Sequence, residues 1–280
     1  MDHQPYGALV GSAPYVIQGT FGELAFWKGG LTLLAAFPGT GKTSWLLRMV
    51  AEASAAGVPS ALICYEHSPQ ELAYRLDRQA EGVVAGAHGN PDPKRVARVR
   101  ATWARAHLVH ASDEEDTPRS IERFLKTDLG IRPGDFALIA VDYLQRVPVT
   151  RLGGLVPPHL SGWVAAVELR KMAIRNGWAV VAAAAVKVQG GRAREDGTKN
   201  MAEIAEQSLG DVLGDDRITY EVDRVIHMVR TETLPCGCAR IRAHVVKDRV
   251  GKMASFPITF WGGRYYPVVG ESHDEAGGQA

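Results

Sequence analysis

The stretch LTLLAAFPGTGKTSWLL, Leu31 to Leu47, constrains the fold more than any other part of the chain. An apolar run is followed by closely spaced glycines, by Lys42, Thr43 and Ser44, and then by apolar residues at helical spacing. The order is strand, tight turn, helix. Gly39 and Gly41 let successive backbone N–H groups turn inward as an anion-binding nest, and the helix N-terminus adds favourable partial charge. Lys42 would reach the β- and γ-phosphates of ATP, and Thr43 would offer its hydroxyl to Mg2+. Pro38, Gly39, Thr40, Gly41, Lys42, Thr43 and Ser44 are therefore candidate nucleotide-binding residues. The usual pattern, G-x-x-x-x-G-K-[ST], opens on a glycine. Ala36 stands there instead, at the strand end, where a small residue with negative φ suffices.

A phosphate loop of this kind belongs in an open α/β sheet, and the rest of the chain supplies one. Apolar runs at 60–66 (SALICYE), 136–145 (FALIAVDYLQ) and 178–186 (WAVVAAAAV) read as buried strands, with AHLVHAS (106–112) as a weaker one. Between them lie helical patterns. SPQELAYRLDRQAEG has Ser68 as N-cap, Pro69 at the first helical position and Glu71 to close a capping box. TPRSIERFLKTDLG runs from a Thr117 cap to a Gly130 stop, and WVAAVELRKMAIRNG (163–177) ends at Gly177. The segments 217–230, 239–249 and 255–268 alternate with period two and read as β-hairpins. The expected fold class is α/β: a mostly parallel twisted sheet flanked by helices, extended by C-terminal β-hairpins. Residues 1–24 read as an N-terminal arm, 25–269 as the domain, and 270–280 as a flexible polar tail.

Two acids complete the nucleotide reading. Asp142 closes LIAVD, and four apolar residues followed by a carboxylate is how a Walker B strand presents an acid beside magnesium. The metal candidates are thus Thr43 and Asp142. Glu66 closes ALICYE, where a carboxylate at the C-terminal edge of the strand beside the phosphate loop can orient and deprotonate a water; alone, it reads better as an acid leading into the Ser68-capped helix, and the order of motifs along the chain favours the base.

The set LAAFPGTGKTS, ALICYEHSPQEL, LIAVDYLQRV and VVKDRVGK resembles the RecA-like P-loop NTPase motor domain of DnaB-type replicative helicases, from about Trp27 to about Pro267. That family shares the alanine before the loop, the glutamate before a Ser-led helix, the Asp-Tyr-Leu-Gln element (142–145) and a Lys-x-Arg-x-Gly element (247–251). The resemblance implies Glu66 as catalytic base, Gln145 in the nucleotide site, and Lys247 with Arg249 presented to a neighbouring subunit's ATP, Arg249 as arginine finger. It implies a homo-oligomer, a hexameric ring, acting on single-stranded DNA, with a loader or replication protein as further partner. Three departures stand out. About two dozen residues precede the motor, so no primase-binding collar is expected. Ala184-Ala185 replaces the family's Ser-Gln pair, and Ala254 stands where the family often has glycine.

In RecA-like rings the channel loops follow the Walker B strand and the next strand, here residues 147–162 and 188–203. Arg151, Arg192, Arg194 and Lys199 are the candidate phosphate contacts, and Glu195 and Asp196 weaken the local field. Net charge is only +1, so any nucleic-acid surface is local. The basic run at 93–106 is followed by acids at 113–116 and reads as a solvated or intersubunit face. Cys236 and Cys238 read as incidental thiols at a hairpin tip, with zinc as the minority reading. Three cysteines make no disulfide framework, and no apolar run spans a bilayer, so no membrane partner and a cytoplasmic location are expected. The functional expectation is an ATP-hydrolysing ring motor that translocates on or unwinds DNA. The alternatives are a RecA-like regulatory or loader ATPase that assembles on a partner, or a recombination mediator.

Overall fold

The structure, a computed structural model, describes residues 15–19, 22–85, 90–151, 154–186, 216–233, 239–249, 255–261 and 264–267. Its centre is one large sheet. Strands β3 (Leu31–Ala36), β4 (Ser60–Cys64), β5 (His107–His110), β6 (Leu138–Asp142), β9 (Ala179–Ala185) and β10 (Arg224–Thr233) run parallel. Strands β11 (Ala239–Asp248), β12 (Ser255–Trp261) and β13 (Arg264–Pro267) continue it antiparallel. Among the described residues the sheet numbers nine strands, in the order β13-β12-β11-β10-β3-β9-β6-β4-β5. The C-terminal hairpins thus extend the parallel sheet.

Every residue of β3, β4 and β6 is buried, which is why these strands read as unbroken apolar runs rather than alternating ones. One face packs Leu34, Leu46, Leu62 and Leu72 under α1 (Lys42–Ala55) and α2 (Pro69–Ala85). The other packs Leu33, Ile139 and Val180 against Ile121 and Leu125 of α4 (Pro118–Thr127) and Leu169 and Met172 of α5 (Pro158–Asn176). Helix α3 (Pro93–Trp103) closes a smaller cluster of Ala51, Ala80, Val96 and Trp103 outside α1 and α2. Its exposed cations are answered in part by α2, where Asp77 accepts from Arg100 at 3.0 Å.

The helix caps follow sequence chemistry. Thr117 accepts from Ser120, Asp92 accepts from Lys94, and Gly177 takes the left-handed conformation (φ 70) that ends α5. The Ser68 hydroxyl accepts the Glu71 N–H at 3.2 Å, but the Glu71 carboxylate turns to Arg75 and His67, so the expected capping box is half formed.

Four expectations need correction. Residues 216–221 form a short helix, α6, not the start of a strand; this helix and β10, joined through Val222 and Asp223, share the run whose alternation suggested β throughout. Helix α5 starts at Pro158, which presets φ for a first turn, so it claims the last five residues of the loop read as 147–162. The remainder carries a two-residue ladder, β7 (Thr150–Arg151) with β8 (Gly154–Leu155). The stretch read as an arm over residues 1–24 carries regular structure: β1 (Tyr15–Gly19) pairs with β2 (Gly22–Phe26), which runs past that boundary. Finally, β4 does not lie beside the phosphate-loop strand; β9 and β6 stand between them. No helix among the described residues is long and apolar enough to cross a membrane.

His227 on β10 faces His244 on β11 across the ladder, and His227 is only 3% exposed. Burial first, and His244 second, push the His227 imidazole down to about 4. The folded protein resists a proton that the unfolded chain takes up below pH 6.5, so stability falls as pH drops from 6.5 towards 4. Chemical denaturation at pH 7.5 and pH 5 is expected to show a loss of about 2 kcal/mol from this residue, absent in His227→Leu.

Candidate functional site

Parallel register gathers the candidate residues at one edge of the sheet. Ala36 pairs with Ala185 and Met228, so β3 and β9 end together. Strand β6 ends on Asp142, which pairs with Cys64 and follows Val141, the partner of Ala182, so its end lies short of theirs, near the Ala183 level. The loop after β3 turns through Gly39 (φ 75) and Gly41 (φ 100), and Gly41 is the N-cap of α1. Both angles lie in the region that favours glycine. Lys42, the first helical residue, folds back so that Nζ donates to the carbonyls of Ala36 (3.0 Å) and Phe37 (3.1 Å). Thr43 Oγ1 donates to Asp142 Oδ2 at 2.6 Å, joining α1 to β6 across the intervening strand β9.

These groups border a cavity of about 470 Å3 walled by Pro38, Gly39, Gly41, Lys42, Thr43, Ser44, Glu66 and Asp142. The size suits a nucleotide-scale ligand. Thr40 is buried outside that wall, and its N–H donates to the Phe37 carbonyl at 3.3 Å. Ser44 presents its carbonyl to Gln79 of α2 at 2.7 Å, which fixes α2 over the loop.

Charge is held under tension at this edge. Burial keeps the Lys42 ammonium below its ordinary range, although Asp142 and Glu66 pull it back up. Burial likewise raises Asp142, which is 2% exposed, against the hydroxyl of Thr43. The lysine contacts neutral carbonyls and the aspartate a neutral hydroxyl, so each lacks a full countercharge. A polyphosphate with a hard divalent cation supplies both. The hydroxyl and carboxylate oxygens of Thr43 and Asp142 are the donor type such a cation takes.

Other sequence candidates fall out differently. Glu66 lines the cavity despite the two strands between β4 and β3. Gln145 does not: its amide donates to the Ala185 carbonyl (3.0 Å) and accepts the Ala185 N–H (3.2 Å). Both ends of that side chain bind the end of β9, so in this structure it clamps the β6–β9 junction. Lys247 and Arg249 lie at the far edge of the sheet, because β11 runs back from the loop end and Asp248 pairs with Arg224 beside Thr32. There Lys247 Nζ donates to the Thr219 carbonyl and Arg249 to the Tyr220 carbonyl, both on α6. Arg151 sits in β7. Arg192, Arg194 and Lys199, like Cys236 and Cys238, lie outside the described residues.

Sequence reasoning missed part of the wall. Phe260 of β12 lines the cavity, and Tyr265 of β13 donates its hydroxyl to the Gly41 carbonyl at 2.7 Å. Arg230 at the outer end of β10 donates to the Gly39 carbonyl at 3.1 Å. His67 and Arg75 of the α2 stretch also line it. The aromatic density of SFPITFWGGRYYP was the available signal for the first two, but period-two spacing cannot say that the sheet brings this hairpin over the loop.

A Cβ on Gly41 would meet Tyr265 Oη at 2.5 Å at a φ that side chains rarely adopt. Gly41→Ala is expected to abolish binding of a fluorescent nucleotide while the chain stays folded. Tyr265→Phe, which removes one partly buried hydrogen bond, is expected to cost about 1 kcal/mol in denaturant unfolding and to keep nucleotide binding.

The sequence matches the model of the DnaB-like helicase C-terminal domain over residues 23–265. Among solved structures, a DnaB-like replicative helicase studied with its primase interactions superposes with a TM-score of 0.68 at 17% identity, over 86% of this chain and 59% of that one. A second solved structure, of an ATPase domain, superposes with a TM-score of 0.68 at 16% identity, over 87% of this chain and 86% of that one. At such identities the superpositions speak for a shared RecA-like fold, and the chain spans less than two thirds of the replicative helicase. A comparison with curated proteins finds no match. A family model matched over residues 23–265, on a sheet whose phosphate loop and Walker B acid share one edge, makes this chain a member of the DnaB-like helicase C-terminal domain family.

Proposed function

We propose that this chain is a ring-forming motor that couples ATP hydrolysis to movement along single-stranded DNA. In this reading the loop from Pro38 to Ser44 cradles the phosphates, with Lys42 leaving its two carbonyls for the β- and γ-phosphates. Thr43 and Asp142 would hold Mg2+, which when bound neutralises charge on the phosphoryl oxygens. Glu66 orients the attacking water and takes its proton.

The observation that carries the reading is the position of Arg249. Register places it beyond the Thr32 end of the sheet, whereas Lys42 follows the Ala36 end, with four residues or roughly 13 Å of strand between those levels. Arg249 therefore does not serve its own cavity. A guanidinium offered to a neighbour's terminal phosphate would make hydrolysis depend on assembly, and a homo-oligomeric ring satisfies this for every subunit at once. The contacts of Lys247 and Arg249 with α6 carbonyls would be exchanged on assembly. Arg151, Arg192, Arg194 and Lys199 are proposed as backbone contacts to the single strand, and a loader or replication protein as a further partner.

A second reading, a regulatory or loader ATPase that does not unwind DNA, draws on Ala184-Ala185. Strand β9 ends without a polar side chain, and its last residue is clamped by Gln145. One set of measurements separates the two. ATP turnover with and without single-stranded DNA, at low and high salt, is expected to rise with DNA at low salt and to vanish in Lys42→Ala. Turnover that neither binds nor responds to single strands would remove the motor reading and leave the second. Mixing Arg249→Ala with Glu66→Ala subunits is expected to restore part of the activity that each lacks alone; no recovery at any ratio counts against the shared site.

A further inference from the structure

One side of the cavity is not explained by the phosphate loop, the Walker B acid or Glu66. Glu71 and Arg75 stand one turn apart on α2, and His67, in the bend just before the helix, reaches the same Glu71 carboxylate. Glu71 Oε1 receives His67 Nδ1 at 3.1 Å and an Arg75 N–H at 2.7 Å. His67 and Arg75 line the cavity, and Glu71 does not. One carboxylate behind the wall therefore holds two donor side chains against the space in front of it. His67 directly follows Glu66. Burial raises the Asp142 carboxyl, and the charge of His67 is among the influences that lower it, so the imidazole acts across the same space. This trio begins at the acid end of the cavity, where the proposed base and metal ligand meet. Phe260 and Tyr265 crowd Gly41 instead.

Resting on the nucleotide reading above, we propose that His67 and Arg75, positioned by Glu71, read the terminal phosphate of a nucleoside triphosphate. The third phosphoryl group offers anionic oxygens to the imidazole and the guanidinium, and a diphosphate leaves both on Glu71. Charge-assisted hydrogen bonds of this kind are stronger than neutral ones, and the planar guanidinium matches a phosphate better than a point charge does. These two donors respond to the γ-phosphate from within the same chain, Arg75 on a helix fixed over the loop by the Gln79–Ser44 hydrogen bond and His67 just before it. The strand end at Ala184-Ala185 offers no polar side chain for that task.

The test is equilibrium binding of fluorescent ADP and of the fluorescent imido analogue of ATP, both in magnesium buffer. Wild type is expected to bind both. His67→Ala and Arg75→Ala are each expected to lose about tenfold in affinity for the triphosphate analogue and no more than about twofold for ADP. Arg75→Lys should recover part of the difference, and Glu71→Gln should narrow the triphosphate preference by a smaller factor. Retained ADP binding shows that each variant is folded. Equal loss for both nucleotides, or an unchanged preference in all the variants, overturns the role of the trio and leaves the nucleotide site standing. Wild type binding neither nucleotide overturns the site itself and this inference with it.

Discussion

The hydrogen bond from Thr43 to Asp142 fixes the geometry on which everything else rests. It is short, at 2.6 Å, and the acid is buried. It links the helix that follows β3 to the end of β6, two strands that are not neighbours, so it depends on the β3–β9 and β9–β6 registers together. A shift of one residue in the β3–β9 or β9–β6 register would exchange the buried face for the other and carry Asp142 away from the helix. The fully buried strands exclude that slip, because both faces are already filled by helices. Core packing and site assembly are thus one constraint.

The cavity keeps two opposite charges under desolvation without letting them neutralise each other directly. Lys42 is turned to carbonyls and Asp142 to a hydroxyl. Burial disfavours the charged form of each. Such a site holds unsatisfied electrostatic demand that a ligand carrying both signs relieves. This is why an anion alone or a cation alone suits it less well than the two together.

Much of this was legible in the sequence because it is local. FPGTGKT specifies its own turn, LIAVD its own strand end, and the caps at Ser68, Thr117 and Gly177 act within one helical turn of themselves. Local spacing failed where the answer depends on distant partners. The family resemblance put Gln145 in the nucleotide site, and the spacing beside Asp142 gives no hint that its amide meets the backbone of Ala185, forty residues away in sequence. Residues 216–221 alternate like a strand but fold as a helix. Phe260 and Tyr265 reach the loop because β10, β11, β12 and β13 carry the sheet onward to it, a path that no local spacing encodes.

Asp223 ties the far edge of the sheet to the strand that bears the phosphate loop. Its carboxylate accepts the Leu31 N–H at 2.8 Å and a contact from Arg170, and it faces Arg249 at 3.7 Å, while its carbonyl accepts the Arg249 N–H at 2.9 Å. Leu31 opens β3, and β3 ends at Ala36. A load applied at Arg249 is therefore passed to one end of a rigid, two-sided strand whose other end carries the turn over the nucleotide cavity. The chain is strung like a lever, with the Arg249 edge and the phosphate loop at opposite ends of one buried strand.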